Sequence, residues 1–223
     1  MSASSSNSRQ SAAVCASTDS RRRSRLTLRC SRSSRRAVPS DRSLASCAWM
    51  KNRRNCLITG PTGAGKTYLA CALAQKACRE GYTVRYVRVG RLLSELGAAR
   101  LDGSYLAQLR TLARLDLLVL DDWGVTPLTD ASRRDLLEIL DDRYDRKSTL
   151  VTSQIPVERW HEHLADPTIA DAILDRLVHN AHRLALTGES MRRVKAAASA
   201  LGETDALPRN VTVVEGEAHV PLP

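Results

Sequence analysis

The sequence predicts an α/β fold: a mostly parallel five-stranded sheet flanked by helices. Short aliphatic runs bounded by turn residues alternate with segments whose apolar residues recur at helical spacing, the pattern of strands joined by crossover helices. Leu117–Leu120 is four aliphatic residues in a row, which suits a strand covered on both faces. No internal repeat interrupts the alternation.

Taken in order, Cys56–Thr59 is a short apolar run ending at a glycine and reads as the first strand. Thr67–Glu80 has Leu69, Ala72, Leu73 and Ala77 on one helical stripe, with Gly81 as the C-terminal stop. Thr83–Val89 alternates as a second strand, and Arg91–Ala99 and Tyr105–Leu115 read as helices separated by Asp102-Gly103. Leu117–Leu120 is the third strand. Ser132–Tyr144 follows as a helix whose stripe is Leu136, Leu137, Leu140 and Tyr144. Thr149–Thr152 is a fourth strand; helices around Val157–Leu164 and Thr168–Val178 precede a fifth at His182–Leu186.

The 223 residues suit one domain with appended tails. Residues 1–42 form a Ser/Arg-rich segment, 43–193 the folded domain, and 194–223 a C-terminal tail. With no Phe, the core is expected to be Leu, Ile, Val and Ala. The net charge of +10 is uneven: the first 50 residues hold ten Arg and two Asp, so little excess remains for the domain. A segment with so few apolar residues does not offset its ordering entropy and is expected to be disordered. Its ten Arg and no Lys resemble a GC-rich gene read out of frame or from a misplaced start, a reading favoured over a DNA-binding arm. Six cysteines with no C-x-x-C pair suggest reduced thiols. No apolar run approaches the roughly 20 residues that span a bilayer, so a cytoplasmic protein with no membrane partner is expected.

Two motifs carry chemistry. Residues 60–67 read Gly60-Pro61-Thr62-Gly63-Ala64-Gly65-Lys66-Thr67, a full match to G-x-x-x-x-G-K-[ST] between a strand and a helix. The glycines let the backbone curl so that its amides, with the helix N-terminus, cradle α- and β-phosphates. Lys66 then faces the β/γ oxygens and the Thr67 hydroxyl reaches Mg²⁺. The second motif is the strand Leu117–Leu120 ending in Asp121-Asp122. It delivers carboxylates to the sheet edge where α/β folds bind ligands. Asp121 is assigned to the metal and Asp122 to polarising the attacking water. Asp has a shorter reach than Glu, so slow hydrolysis is expected. A Gly-rich turn matching by accident, and a strand that merely leaves the core, are the blander readings; the two motifs about 50 residues apart argue against both.

The segment from about Ser43 to Arg193 resembles the IstB-like family, ATP-binding helpers of insertion-sequence transposases. The likeness rests on Ser46-Cys47-Ala48-Trp49, L-I-T-G-P-T-G-A-G-K-T-Y-L-A and L-D-L-L-V-L-D-D-W-G. It continues through Arg134-Asp135-Leu136-Leu137-Glu138, V-T-S-Q-I-P-V, D-A-I-L-D-R-L-V-H-N-A-H-R and Gly188-Glu189-Ser190-Met191-Arg192. DnaC-like helicase loaders are similar. The resemblance implies an AAA+ ATPase using ATP and Mg²⁺, strand order 5-1-4-3-2, and homo-oligomers in which ATP bridges subunits. It also implies duplex DNA and a transposase as partners. Ser153-Gln154 falls at a sensor position, with Gln154 preferred for orienting water. Arg176 matches an arginine finger and Arg192 a second sensor. An ordinary pairing of Arg176 with Asp175 or Asp171 is the competing reading. One departure stands out: family members resemble one another in a helical region before the phosphate loop, where this chain has the Ser/Arg segment.

A helicase loader, a small-molecule P-loop kinase and an inactive truncated remnant are the alternative functions. A kinase is expected to carry an acceptor pocket and lid, which are not recognisable. Trp160-His161-Glu162-His163 resembles a metal cluster but lacks the helical spacing H-E-x-x-H, so a solvated helix face is expected.

Overall fold

The structure is a computed structural model that describes residues 44, 46–187, 190 and, as backbone, 212–214. The Ser/Arg-rich segment and most of the tail lie outside the described residues. The elements are α1 (Ala48–Lys51), β1 (Asn55–Thr59), α2 (Lys66–Arg79), β2 (Val84–Arg88), α3 (Val89–Asp102), α4 (Tyr105–Arg114), β3 (Leu117–Trp123), α5 (Asp130–Arg143) and β4 (Ser148–Ser153). A 3₁₀ turn (Val157–Arg159), α6 (Trp160–Leu164), α7 (Pro167–Val178), β5 (Ala181–Thr187) and β6 (Thr212–Val214) follow. Two helix starts follow side-chain chemistry: Thr129 accepts from Ser132 N ahead of α5, and Asp166 accepts from Ile169 N ahead of α7, where Pro167 takes the first helical position.

The sheet order is β2-β3-β4-β1-β5-β6. The first five strands are parallel in the expected 5-1-4-3-2 order. A sixth, antiparallel strand departs from the expectation of a patternless tail: Thr212–Val214 pairs with Ala185–Thr187.

Because strand side chains alternate between faces, the sheet feeds two cores. Leu57, Leu118, Leu120 and Val151 point to the α3–α7 side, where they meet Leu92, Leu96, Leu136, Ile173 and Leu177. Cys56, Ile58, Leu117, Val119 and Leu150 point to the other side and meet α1 and α2. The core is not purely aliphatic. Trp49, Trp123 and Trp160 are all buried, and the last two stack at 5.2 Å between centroids.

Two helical stripes differ from expectation. The buried face of α2 is Ala70, Leu73, Ala74 and Ala77, while Ala72 is exposed and Leu69 only half-buried. At the end of α5, Tyr144 is exposed and Arg143 is buried in its stead. The Arg143 guanidinium donates to Leu112 O (2.6 Å), Leu115 O (2.9 Å), Thr149 Oγ1 (3.1 Å) and Ser148 O. It satisfies carbonyls in the last turn of α4, just before β3 and at the start of β4 that no apolar residue can serve. Burial pulls its pKa down to about 10, which leaves it charged at neutral pH. No helix among the described residues is long and apolar enough to cross a membrane.

Candidate nucleotide-binding site

The loop Gly60–Thr67 leaves the C-terminal end of β1 and enters α2. Gly60 N donates to Ser153 O at 3.2 Å, tying the loop to β4. Two glycines are obligatory for different reasons. At Gly60 (φ 150°) a Cβ would lie 2.4 Å from the Leu186 carbonyl of β5. Gly65 adopts φ 93° as the N-cap of α2, a left-handed geometry that other residues resist, although space around it is open. Pro61 and Thr62 are exposed, and Ala64 is buried beneath the loop. Gly63 lies directly under Ser190, where a Cβ would lie 2.1 Å from the hydroxyl. Lys66 is largely buried and donates to Gly60 O (2.7 Å) and Pro61 O (2.9 Å), so its ammonium sits inside the curl of the loop.

Asp121 ends the continuous hydrophobic run of β3 and is 1% exposed. Thr67 Oγ1 donates to its two oxygens at 3.1 and 3.2 Å. The Tyr86 and Thr152 hydroxyls, from the flanking strands β2 and β4, donate to Oδ2 and Oδ1. Burial first, then the bond to Asp121, raises the Tyr86 pKa, so the phenol stays a donor. All three donors are neutral, so they orient the carboxylate without neutralising it. A buried carboxylate beside a threonine hydroxyl is an oxygen set suited to a hard divalent cation such as Mg²⁺.

Asp122 would normally face away from Asp121, since adjacent strand residues alternate. The β3/β4 register shifts between Leu120 and Trp123, and Asp122 adopts φ 61°, so a bulge takes it out of the alternation. Its N–H donates to Thr152 Oγ1 at 3.3 Å, and its carboxylate lies 3.3 Å from Arg88 Nε at the end of β2. Trp123, next in sequence, is buried in the core.

Of the sensor pair, Ser153 is fully buried and its hydroxyl is committed to Trp123 O (2.9 Å) and Ile155 N (3.0 Å). Gln154 is exposed, and its Oε1 accepts from Thr62 Oγ1 of the loop at 2.7 Å. Arg176 lies elsewhere. Its backbone carbonyl accepts from Asn55, the first residue of β1, which places it at the sheet edge opposite the loop. Its partner is neither Asp175 nor Asp171 but Asp141 on α5, because α7 packs along α5; Asp171 instead faces His161 at 3.2 Å. Arg192 lies outside the described residues.

Tyr86, Arg88 and Thr152 were missed by sequence reasoning. The only signal for them was strand order: placing β2 and β4 on either side of β3 brings their polar ends to Asp121-Asp122.

The family profile described as IstB-like ATP binding protein matches residues 31–199. The chain belongs to this family. It is 58% identical over 145 residues to the putative insertion sequence ATP-binding protein y4pL of Sinorhizobium fredii, covering 65% of this chain and 59% of that one. It is 35% identical over 151 residues to the putative ATP-binding protein of insertion sequence IS21 of Pseudomonas aeruginosa, covering 68% and 57%. The chain thus spans under two thirds of the length of these relatives. Among solved structures, DnaI superposes with a TM-score of 0.59 (24% identity; 66% and 81% covered) and the DnaC helicase loader with 0.55 (21%; 68% and 92%). These likenesses establish the AAA+ P-loop fold of this ATP-binding IstB-like chain.

Proposed function

We propose that this IstB-like chain is a slow, DNA-associated ATPase of the cytoplasm that oligomerises through ATP-bridged interfaces and activates or targets a transposase. The observation that carries the reading is the buried Asp121 carboxylate held against Thr67, beside a loop whose Lys66 is already drawn inward. The relatives' names, insertion sequence ATP-binding proteins, support the transposition context.

In this reading the N–H groups of Thr62, Gly63, Ala64, Gly65, Lys66 and Thr67 bind the phosphate oxygens, while Gly60 and Pro61, the latter with no N–H to give, shape the turn. Lys66 exchanges its two carbonyl acceptors for β/γ oxygens. Thr67 and Asp121 would hold Mg²⁺, which when bound neutralises charge on the β- and γ-phosphates. Asp122 accepts the proton of the water that attacks the γ-phosphorus, while the bond to the β,γ-bridging oxygen breaks and ADP leaves. Gln154 orients that water from its place beside Thr62. Arg176 acts on a neighbour's phosphate and Arg192 serves as the second sensor.

ATP hydrolysis measured with and without duplex DNA, alongside sizing with a slowly hydrolysed ATP analogue, tests the proposal. DNA-stimulated turnover with analogue-dependent assembly is the expected result. Consumption of ATP only with a small acceptor points to a kinase, and a monomeric inert protein points to a remnant. The trans role of Arg176 is tested by mixing Arg176→Ala with Lys66→Ala protein. Mixed assemblies recover turnover if finger and loop come from different copies; no recovery refutes the shared site.

A further inference from the structure

A groove of about 450 Å³ opens between the C-terminal ends of α4 and α5, lined by Arg110, Ala113, Arg114, Asp142, Arg146 and Lys147. Arg110 and Arg114 are one helical turn apart and so share a face of α4. Arg146 meets them from beyond α5. All three are exposed, and among the described residues none has a side-chain hydrogen bond or ion pair. Lys147 is tethered to Asp116 at 2.6 Å, leaving Asp142 as the one carboxylate among the lining residues that faces the three guanidiniums. Arg114 precedes β3 and Lys147 precedes β4, so the groove sits at the N-terminal edge of the sheet. The phosphate loop is at the other edge, roughly 17 Å away by the rise of a five-residue strand.

We infer that this groove is a second, separate phosphate-binding surface, and that it takes the phosphodiester backbone of duplex DNA through Arg110, Arg114 and Arg146. The domain as a whole carries little excess charge, so three guanidiniums against a single carboxylate in one concavity are a local feature and not a general basic coat. The lining holds no aromatic side chain on which an unpaired base could stack, which argues for duplex over single strand. Contacts of this kind grip the backbone without reading sequence. The inference rests on the DNA-associated reading above for the identity of the polymer, but not on the ATP chemistry.

The test measures binding of a 30-base-pair duplex by fluorescence anisotropy across a salt series, with the full chain and a variant carrying Arg110→Ala, Arg114→Ala and Arg146→Ala. Each lost phosphate contact removes about 0.9 from the salt slope. Between 50 and 200 mM salt, wild-type affinity should therefore fall about 40-fold more than the variant's. Replacing the same three residues by Lys should restore the slope, since a point charge suffices for a phosphate. Binding of a fluorescent ATP analogue is expected to be unchanged. Should the triple variant lose that binding, the three single variants carry the measurement, each lowering the slope by about one. An unchanged slope overturns the groove while DNA association stands. No duplex binding by the wild type at 50 mM salt overturns both.

Discussion

Asp122→Asn separates the two carboxylates at the end of β3. Asp122 adopts φ 61°, and Asn tolerates this left-handed geometry as Asp does, so the substitution adds no backbone strain. It removes an ion pair with Arg88 whose side chains are 68% and 38% exposed. Such a pair is worth at most about 1 kcal/mol. Stability should thus fall by no more than about 4 °C in Tm, and nucleotide affinity should change less than about fivefold. Loss of a general base, by contrast, should slow turnover about 10²–10⁴-fold. Single-turnover hydrolysis of labelled ATP with protein in excess gives the rate, and titration with a fluorescent ATP analogue gives the affinity. Asp122→Ala is the control: it loses the same carboxylate but adds about 1 kcal/mol of left-handed strain, so it should melt lower than the Asn variant at equal inactivity. Turnover within tenfold of wild type refutes Asp122 as the base. A tenfold loss of affinity refutes the division of labour in which Asp121 binds and Asp122 reacts.

Thr152→Val, nearly isosteric, deletes the buried hydroxyl that donates to Asp121 and accepts from Asp122 N; urea denaturation should show a loss of about 1.5–3 kcal/mol, the range for bonds to charged groups. Arg143→Met should cost about 3 kcal/mol or more in the same assay, because three backbone carbonyls lose their donor; a cost under about 1 kcal/mol would refute its role as a strut. Burial, the largest cause, lowers the pKa of His163 below its usual 6.5. The unfolded chain therefore binds a proton first as pH falls, so the stability difference between wild type and His163→Gln should shrink from pH 6.5 downward, and a constant difference would show that His163 does not titrate this way.

The phosphate loop was legible because its glycines, lysine and threonine are required by local geometry, and β1 and β3 because strands covered on both faces must be continuously apolar. What escaped depends on partners remote in sequence. Arg143 reads as a polar position on a helical wheel, yet it is buried because the carbonyls of Leu112, Leu115 and Ser148 converge there. Tyr86 looks like any outward residue of an alternating strand until the register sets Val87 beside Leu120 and Arg88 beside Asp121. The bulge at Asp122 has no local signature either: Leu-Asp-Asp-Trp fits an unbroken strand equally well. Ala72 misled because alanine's small apolar surface barely distinguishes the two faces of a helix.

The position of Arg176 limits what it can do. Its carbonyl is bonded to the first residue of β1, whereas the phosphate loop begins after the last, so the length of a strand separates it from the loop of its own chain. An arginine side chain does not span that distance. The residue is then either a strut for α5 or a group aimed at a second copy. As a strut it is weak: one bond, to Ala172 O at 2.7 Å, stays within its own helix, and the pair with Asp141 is 28% and 46% exposed, so open to water that it contributes at most about 1 kcal/mol. Giving up that partner for a phosphate costs little, and a guanidinium facing a triphosphate in a closed interface gains more than it leaves behind. The role we propose for Arg176 at a neighbour's site is consistent with a guanidinium whose only tie to another helix is one open ion pair, at the edge remote from the phosphate loop of its own chain.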